Sequence, residues 1–231
     1  MRKSKSWKEN VEWHMPPEDK HFEDPNTYQH LHYNTAVKYA RSRRVAVDVG
    51  AHVGIHTVRL SKDFDSVYAI EPINYEYLIS NTEHLDNVRC IRAGCSDKPC
   101  TLYAHNPLES NSGAWELSTV TSKREVEVIT IDSLNLAQCD LIKIDTQGLE
   151  REVLEGARNT INKFKPVIWI EDRGTLTQYM LETYCYSLKD AYIKDSVYTL
   201  AERTLTPQQA RLLQYDDIRD LTEDELKTIY G

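Results

Sequence analysis

At 231 residues and 26.8 kDa the chain has the length of one α/β domain, enough to bury a real core. Its formal charge of −8 and pI near 5.5 weigh against nucleic acid as a partner, and the basic clusters at Arg2, Lys3, Lys5 and Lys8 and at Lys38, Arg41, Arg43 and Arg44 read as solvated chain and helix ends. No apolar run reaches membrane-spanning length, no signal-peptide pattern is visible, and five cysteines without a Cys-x-x-Cys pair predict reduced thiols in a cytoplasmic protein, not a disulfide frame or zinc site.

Residues 1–26 are polar, carry Pro16, Pro17 and Pro25, and read as an N-terminal arm; 27–43 give a short helix. Residues 45–57 follow as an apolar strand containing Asp48, a turn opened by Gly50 and Gly54, and a helical pattern from about Ile55. A strand–glycine turn–helix unit opens many nucleotide-binding α/β sheets. Here Asp48 stands two positions before the first glycine, where it would repel a pyrophosphate, and the Gly-x-Gly-x-x-Gly spacing is absent. S-adenosylmethionine has no phosphate and carries an ammonium and a sulfonium. The pattern therefore predicts a site for it, with Asp48, Gly50, Ala51 and Gly54 at the turn.

The next strand, 66–70, ends in Glu71, twenty-three residues after Asp48, where a carboxylate can accept both ribose hydroxyls of an adenosyl group; Pro72 stops the strand. A third apolar segment, 88–93, runs into Gly94, Cys95, Ser96 and Asp97, a loop expected beside the adenine. There Asp97 either accepts from the adenine amino group or simply forms the turn, and Ser96 lies next to it. Residues 105–119 lack a clean period and read as a loop over the cleft, with Asn111, Ser112, Gly113 and Trp115 as a substrate lid. Trp115 suits stacking on a sugar face or anchoring the loop. Strand-like 126–131 follows.

In the strand over 140–145, alternation puts Lys143 and Asp145 on one side and Ile142 and Ile144 on the other. A charged pair on a central strand is expensive to bury unpaired, so Asp145 is expected to face the cleft. It is the first candidate to orient the acceptor or the cofactor amine. Lys143 is second, lowering the acceptor's pKa or neutralising Asp145, and His52, inside the cofactor turn, is third; His56 and His105 are further available groups. A helix over 150–164 leads to a strand over 166–170 ending in Glu171 and Asp172, with Glu171 a substrate contact. Asp145 with Glu171 or Asp172 could hold a hard divalent cation, but strand ends gather acids on other grounds and a metal is not favoured. Segments 186–188 and 197–200 form an antiparallel hairpin, and the pattern after Pro207 is helical. The expected organisation is an arm (1–26), a doubly wound, mostly parallel α/β domain with a C-terminal antiparallel hairpin (27–201) and a helical extension (202–231). The terminal segments are candidates for a homo-oligomeric contact.

Asp48-Val-Gly-Ala-His-Val-Gly54, Glu71-Pro72, Ala93 with Asp97, and Ile142-Lys-Ile-Asp-Thr-Gln-Gly-Leu-Glu150 followed by Val153-Leu-Glu-Gly156 resemble the FkbM family of methyltransferases over 45 to about 200. The resemblance implies a class I, Rossmann-like S-adenosylmethionine fold and O-methylation, often of a sugar or polyketide hydroxyl. The chain departs from the family at two places: Gln147 stands where the family usually has Glu, and His52 where it often has Asn. The expected function is an S-adenosylmethionine-dependent O-methyltransferase on a small-molecule or glycan hydroxyl. Ribose 2′-O methylation of a nucleic acid and a non-catalytic binding module are the alternatives. Base methylation is opposed by Asp145-Thr-Gln-Gly where an Asn/Asp-Pro-Pro-aromatic run would stand.

Overall fold

The computed structural model describes residues 13–17, 19, 28–108, 111–172, 174–192 and 194–201; the extension expected over 202–231 and most of the arm lie outside them. Helix α1 (His30–Tyr39) leads into β1 (Val45–Val49), α2 (Ile55–Asp63), β2 (Ser66–Ile70), α3 (Tyr75–Thr82) and β3 (Val88–Ile91). Four short strands follow, β4 (Gly94–Cys95), β5 (Cys100–His105), β6 (Glu116–Ser118) and β7 (Glu125–Ile129). After a 3-10 turn at Asp132–Leu134 come β8 (Leu141–Ile144), α4 (Glu150–Gly156), α5 (Arg158–Phe164), β9 (Val167–Glu171), α6 (Thr177–Tyr184), β10 (Tyr186–Ala191) and β11 (Asp195–Leu200).

Seven strands join in the order β10-β11-β9-β8-β1-β2-β3. The run from β9 to β3 is parallel, and the β10–β11 hairpin adds antiparallel to β9, as the sequence predicts. Chain order reverses between β8 and β1, so a crevice opens at the carboxyl ends of those two strands. Period-2 alternation feeds two cores. Val47, Val49, Ile142, Ile144, Ile168 and Ile170 pack on the face with α4, α5 and α6, while Ala46, Leu141, Val167 and Trp169 pack with Tyr33 of α1 and Leu60 of α2. Fully burying one such aliphatic side chain stabilises by about 1.5–3 kcal/mol.

Three expectations need correction. The helix over 150–164 is two helices broken at Ala157. A Cβ on Gly156 would lie 2.0 Å from the Ser96 carbonyl oxygen, so the chain there hugs the strand beneath it. The Asp132 carboxylate then takes the N–H groups of Asn159 (2.9 Å) and Thr160 (2.8 Å) and starts α5 afresh. Next, Gly94 and Cys95 are strand, not loop, and with Glu125–Ile129 they belong to a separate four-stranded sheet, β4-β7-β5-β6. Lastly, 105–119 is a loop only between His105 and Glu116; its two ends pair as β5 and β6. Short, half-exposed strands leave a weak period, and that hid the second sheet.

Candidate active site

At the crevice lies a cavity of about 400 Å³, within the range of small-molecule sites. Its walls come from the ends of β1 (Val49, Gly50), β2 (Ile70, Glu71), β8 (Lys143, Asp145) and β9 (Glu171), with the lead-in to α1 and the loop before β6 above them.

The β1–α2 turn is built tightly. Gly50 has φ +75°, and a Cβ there would sit 1.8 Å from the Asp145 carbonyl oxygen; only glycine lets the turn cross the end of β8. The N–H groups of Gly50 and Ala51 both donate to the Ile70 carbonyl (3.0 and 3.1 Å), and Gly54 donates to Ala51 (2.8 Å). His52, left-handed at φ 53°, donates its N–H to Glu71 Oε2 (2.9 Å). Glu71 Oε1 accepts from the N–H groups of Ile73 and Asn74, each at 2.8 Å. Three backbone donors thus aim this buried carboxylate and leave it about one free lone pair. Burial raises its pKa, and those donors oppose the rise.

Lys143 is buried, with Nζ 3.5 Å from Asp48 and 3.7 Å from Asp145 and 5.7 Å from the centre of the Trp169 ring. Burial alone would lower its pKa; Asp48 and then Asp145 outweigh that and hold it protonated. Burial likewise pulls Asp145 up, and Lys143 foremost overrides it, keeping the carboxylate ionised below its usual range. Beyond Asp145 the Gln147 amide, in a left-handed turn at φ 55°, donates to Asp145 Oδ1 and Glu171 Oε2, each at 2.8 Å. Glu171 also lies 3.4 Å from Lys194.

The roof joins three segments. Ser112 Oγ donates to Asp19 and is 2.6 Å from His52 Nε2. Burial pushes His52 down to about 4, so its imidazole is neutral at physiological pH. Farther back, the Asn81 amide accepts from the His14 N–H and donates to the His14 carbonyl, strapping the arm to α3.

Of the residues expected at the site, Gly50, Ala51, His52, Glu71, Asn111, Trp115, Lys143, Asp145 and Glu171 share this cavity. Six others do not line it. Asp48 is wholly buried behind the wall, accepting from Thr57 Oγ1 at 2.7 Å, and reaches the cavity only through Lys143. Gly54 packs α2 on α3, where a Cβ would meet Leu78 at 2.9 Å. Ser96 is enclosed beneath Gly156, and Asp97 points outward, so the cavity wall here is Ala93–Cys95 instead. Asp172 caps α6 through the N–H groups of Gly174 and Leu176 and accepts from Tyr198. His105 bonds the Val120 carbonyl, away from the cavity. Trp115 lines the cavity and packs on the second sheet with Arg124 over its ring, so it anchors the loop there.

Sequence reasoning passed over Tyr28, Gln29, His32, Lys194 and Asp195. Asp195 accepts from Trp169 Nε1 (3.0 Å) and Gln29 Nε2 (3.2 Å) and lies 3.0 Å from His32 Nδ1. Only the antiparallel register that sets Asp195 opposite Glu171 brings it here, and no local motif encodes that pairing.

A profile of the methyltransferase FkbM domain matches residues 48–193, most of the chain, from the end of β1 through β10. The chain belongs to the FkbM methyltransferase family. Among solved structures, the FkbM methyltransferase of Methylobacillus flagellatus KT is 23% identical, with a TM-score of 0.50 over 72% of this chain and 47% of its own. This chain thus spans about half the length of that relative. The precorrin-6y C5,15-methyltransferase of Geobacter metallireducens GS-15 is 16% identical over 72% of this chain and 86% of its own, TM-score 0.46. An rRNA methylase of Streptococcus thermophilus is 11% identical over 74% and 96%, TM-score 0.44. No curated protein sequence matches the chain. The fold is that of the class I methyltransferases, a doubly wound α/β sheet. Among the described residues no helix is long and apolar enough to cross a membrane.

The family's methyl donor, S-adenosylmethionine, fits these residues. Its ammonium would meet Asp145, and its adenosyl part Glu71 and the Gly50–Ala51 turn. A divalent cation between Asp145 and Glu171 does not fit, because the Gln147 side chain already puts N–H donors on both carboxylates.

Proposed function

We propose that this FkbM-family chain binds S-adenosylmethionine in the crevice and methylates a hydroxyl of a small molecule or glycan. The observation that carries the reading is the occupancy of the turn amides: Gly50 and Ala51 donate to Ile70, Gly54 to Ala51, and His52 to a carboxylate. A pyrophosphate needs free N–H groups at this turn and finds a carboxylate instead. Gly50, Ala51, Glu71 and Ala93–Cys95 are the residues that would hold the adenosyl part. Asp145, kept ionised by Lys143, would hold the ammonium. When bound, the sulfonium supplies an electrophilic methyl group. The protein's part is proximity and orientation, about 7–11 kcal/mol in ideal cases.

The acceptor side is the wall of Glu171, Asp195, Tyr28 and the loop carrying Asn111 and Trp115. A neutral polyol suits it better than a phosphate chain, given its carboxylates. Lys143, enclosed by Asp48 and Asp145, offers no free cation to a ribose hydroxyl, which favours the small-molecule reading over RNA.

Calorimetric titration with S-adenosylhomocysteine, run beside NAD, tests the cofactor. Micromolar binding of the first and none of the second is expected, with Glu71→Ala losing at least ten-fold, about 1.4 kcal/mol, while remaining folded. Preference for NAD, or no binding of either, would overturn the reading.

A further inference from the structure

Methyl transfer to a hydroxyl needs a group that takes the proton, and most titratable side chains on the cavity wall are committed elsewhere. Lys143 is held protonated by two carboxylates. Asp145 has Lys143 on one oxygen and the Gln147 amide on the other. Glu71 is tied to three backbone N–H groups, and Asp195 to Trp169, Gln29 and His32. His52 Nε2 is bonded to Ser112 and His56 Nε2 is 2.9 Å from Gln29. Tyr28 keeps its proton, because burial and then Asp145 raise its pKa.

Glu171 differs. It ends β9 on the cavity wall, with the Gln147 amide on Oε2 at 2.8 Å and Lys194 on Oε1 at 3.4 Å; that lysine is 55% exposed and screened by solvent, where the Lys143 that holds Asp145 is buried. We propose that Glu171 is the general base of this site and that Gln147, donating at once to Glu171 and Asp145, is the positioning residue that aims it. The proposal rests on the hydroxyl-methylation reading above. In the step, the acceptor O–H proton passes to a Glu171 carboxylate oxygen and a lone pair on the acceptor oxygen forms the bond to the methyl carbon. The carbon–sulfur pair leaves with sulfur, which becomes a neutral thioether, and Glu171 then gives its proton to water.

The groups facing Glu171 are Asp145 from β8, Gln147 from the following turn, Lys194 and Asp195 from the start of β11, and Tyr28 ahead of α1. Burial first, then Asp145, push the carboxyl up to about 7 against the pull of Lys194. A base so poised is half ionised at neutral pH, where general-base catalysis is most effective.

The test uses the full chain labelled with ¹³C at the glutamate carboxyls, titrated by NMR with and without S-adenosylhomocysteine, the Glu171 signal being assigned by its loss in Glu171→Gln. A midpoint near 7 is expected, lower in Asp145→Asn and higher in Gln147→Leu, which removes the shared donor. A midpoint below 5 overturns the proposal. In parallel, tritiated S-adenosylmethionine and a panel of methyl glycosides are assayed from pH 5.5 to 8.5. The rate is expected to rise through the same midpoint. Glu171→Gln should lose this limb and about 10²–10⁴-fold in kcat, with homocysteine affinity within two-fold of wild type, while Glu171→Asp keeps part of the rate. A Glu171→Gln variant that keeps both rate and limb overturns the base assignment and leaves the proposed function standing. If no glycoside is methylated, the NMR midpoint still decides Glu171 and the failure falls on the acceptor reading.

Discussion

Lys143 ties the site together at the scale of single residues. Among the described residues it links the buried Asp48 to the cavity-facing Asp145. Replacing it by methionine leaves two carboxylates uncompensated. Unfolding by denaturant should show a loss of about 3–5 kcal/mol, and Lys143→Met with Asp48→Asn should lose less than the single variant. Gly50→Ala carries a different cost, since a left-handed backbone and a clash with the Asp145 carbonyl add together. About 2–4 kcal/mol is expected, with loss of homocysteine binding in calorimetry even where the protein stays folded. Much of this was legible in the sequence. Asp48, Gly50, Glu71, Lys143 and Asp145 stand at strand ends, where period and punctuation are strong. Their partners were not: nothing local says that Glu71 spends itself on three backbone amides, or that Asp48 meets a lysine ninety-five residues away.

At the scale of elements, the break between α4 and α5 is a device of two residues. Gly156 brings the helix end onto the Ser96 carbonyl, and Asp132 caps the restart. Asp132→Ala should cost about 0.5–2 kcal/mol in equilibrium unfolding and leave the cavity intact, because no residue of α5 lines it. The parallel strands were readable from their β-branched runs, and so was the hairpin. The β4–β7 sheet escaped because its strands are two to six residues long and alternate only partly. The loop it carries, with Asn111 and Trp115, was placed over the cleft by sequence alone, but its support was not foreseen.

At the scale of the whole molecule, buried titratable groups make stability depend on pH with opposing signs. Burial lowers His52 to about 4 and His56 well below its usual value. The unfolded chain therefore binds more protons below about 6.5, and stability present above that pH is lost as it falls toward 4. Glu171 acts the other way: raised to about 7, it favours the fold at low pH and withdraws that contribution between its ordinary carboxylate value and 7. The two windows overlap, so the contributions offset and denaturant midpoints at pH 5, 6 and 7.5 should differ less than either slope alone would give. Glu171→Gln should raise stability at pH 7.5 more than at pH 5; equal shifts at both would contradict the assignment.

The cavity draws on the chain almost end to end, from Tyr28 and Gln29 to Lys194 and Asp195, and β1 finds its neighbour β8 only after the whole second sheet has intervened. A ribosome making this chain therefore cannot present a complete pocket until residue 195 has left the exit tunnel. Ligand capture must follow synthesis of nearly the entire described domain, and a chain stalled before β8 has emerged exposes one edge of β1 with nothing to cover it.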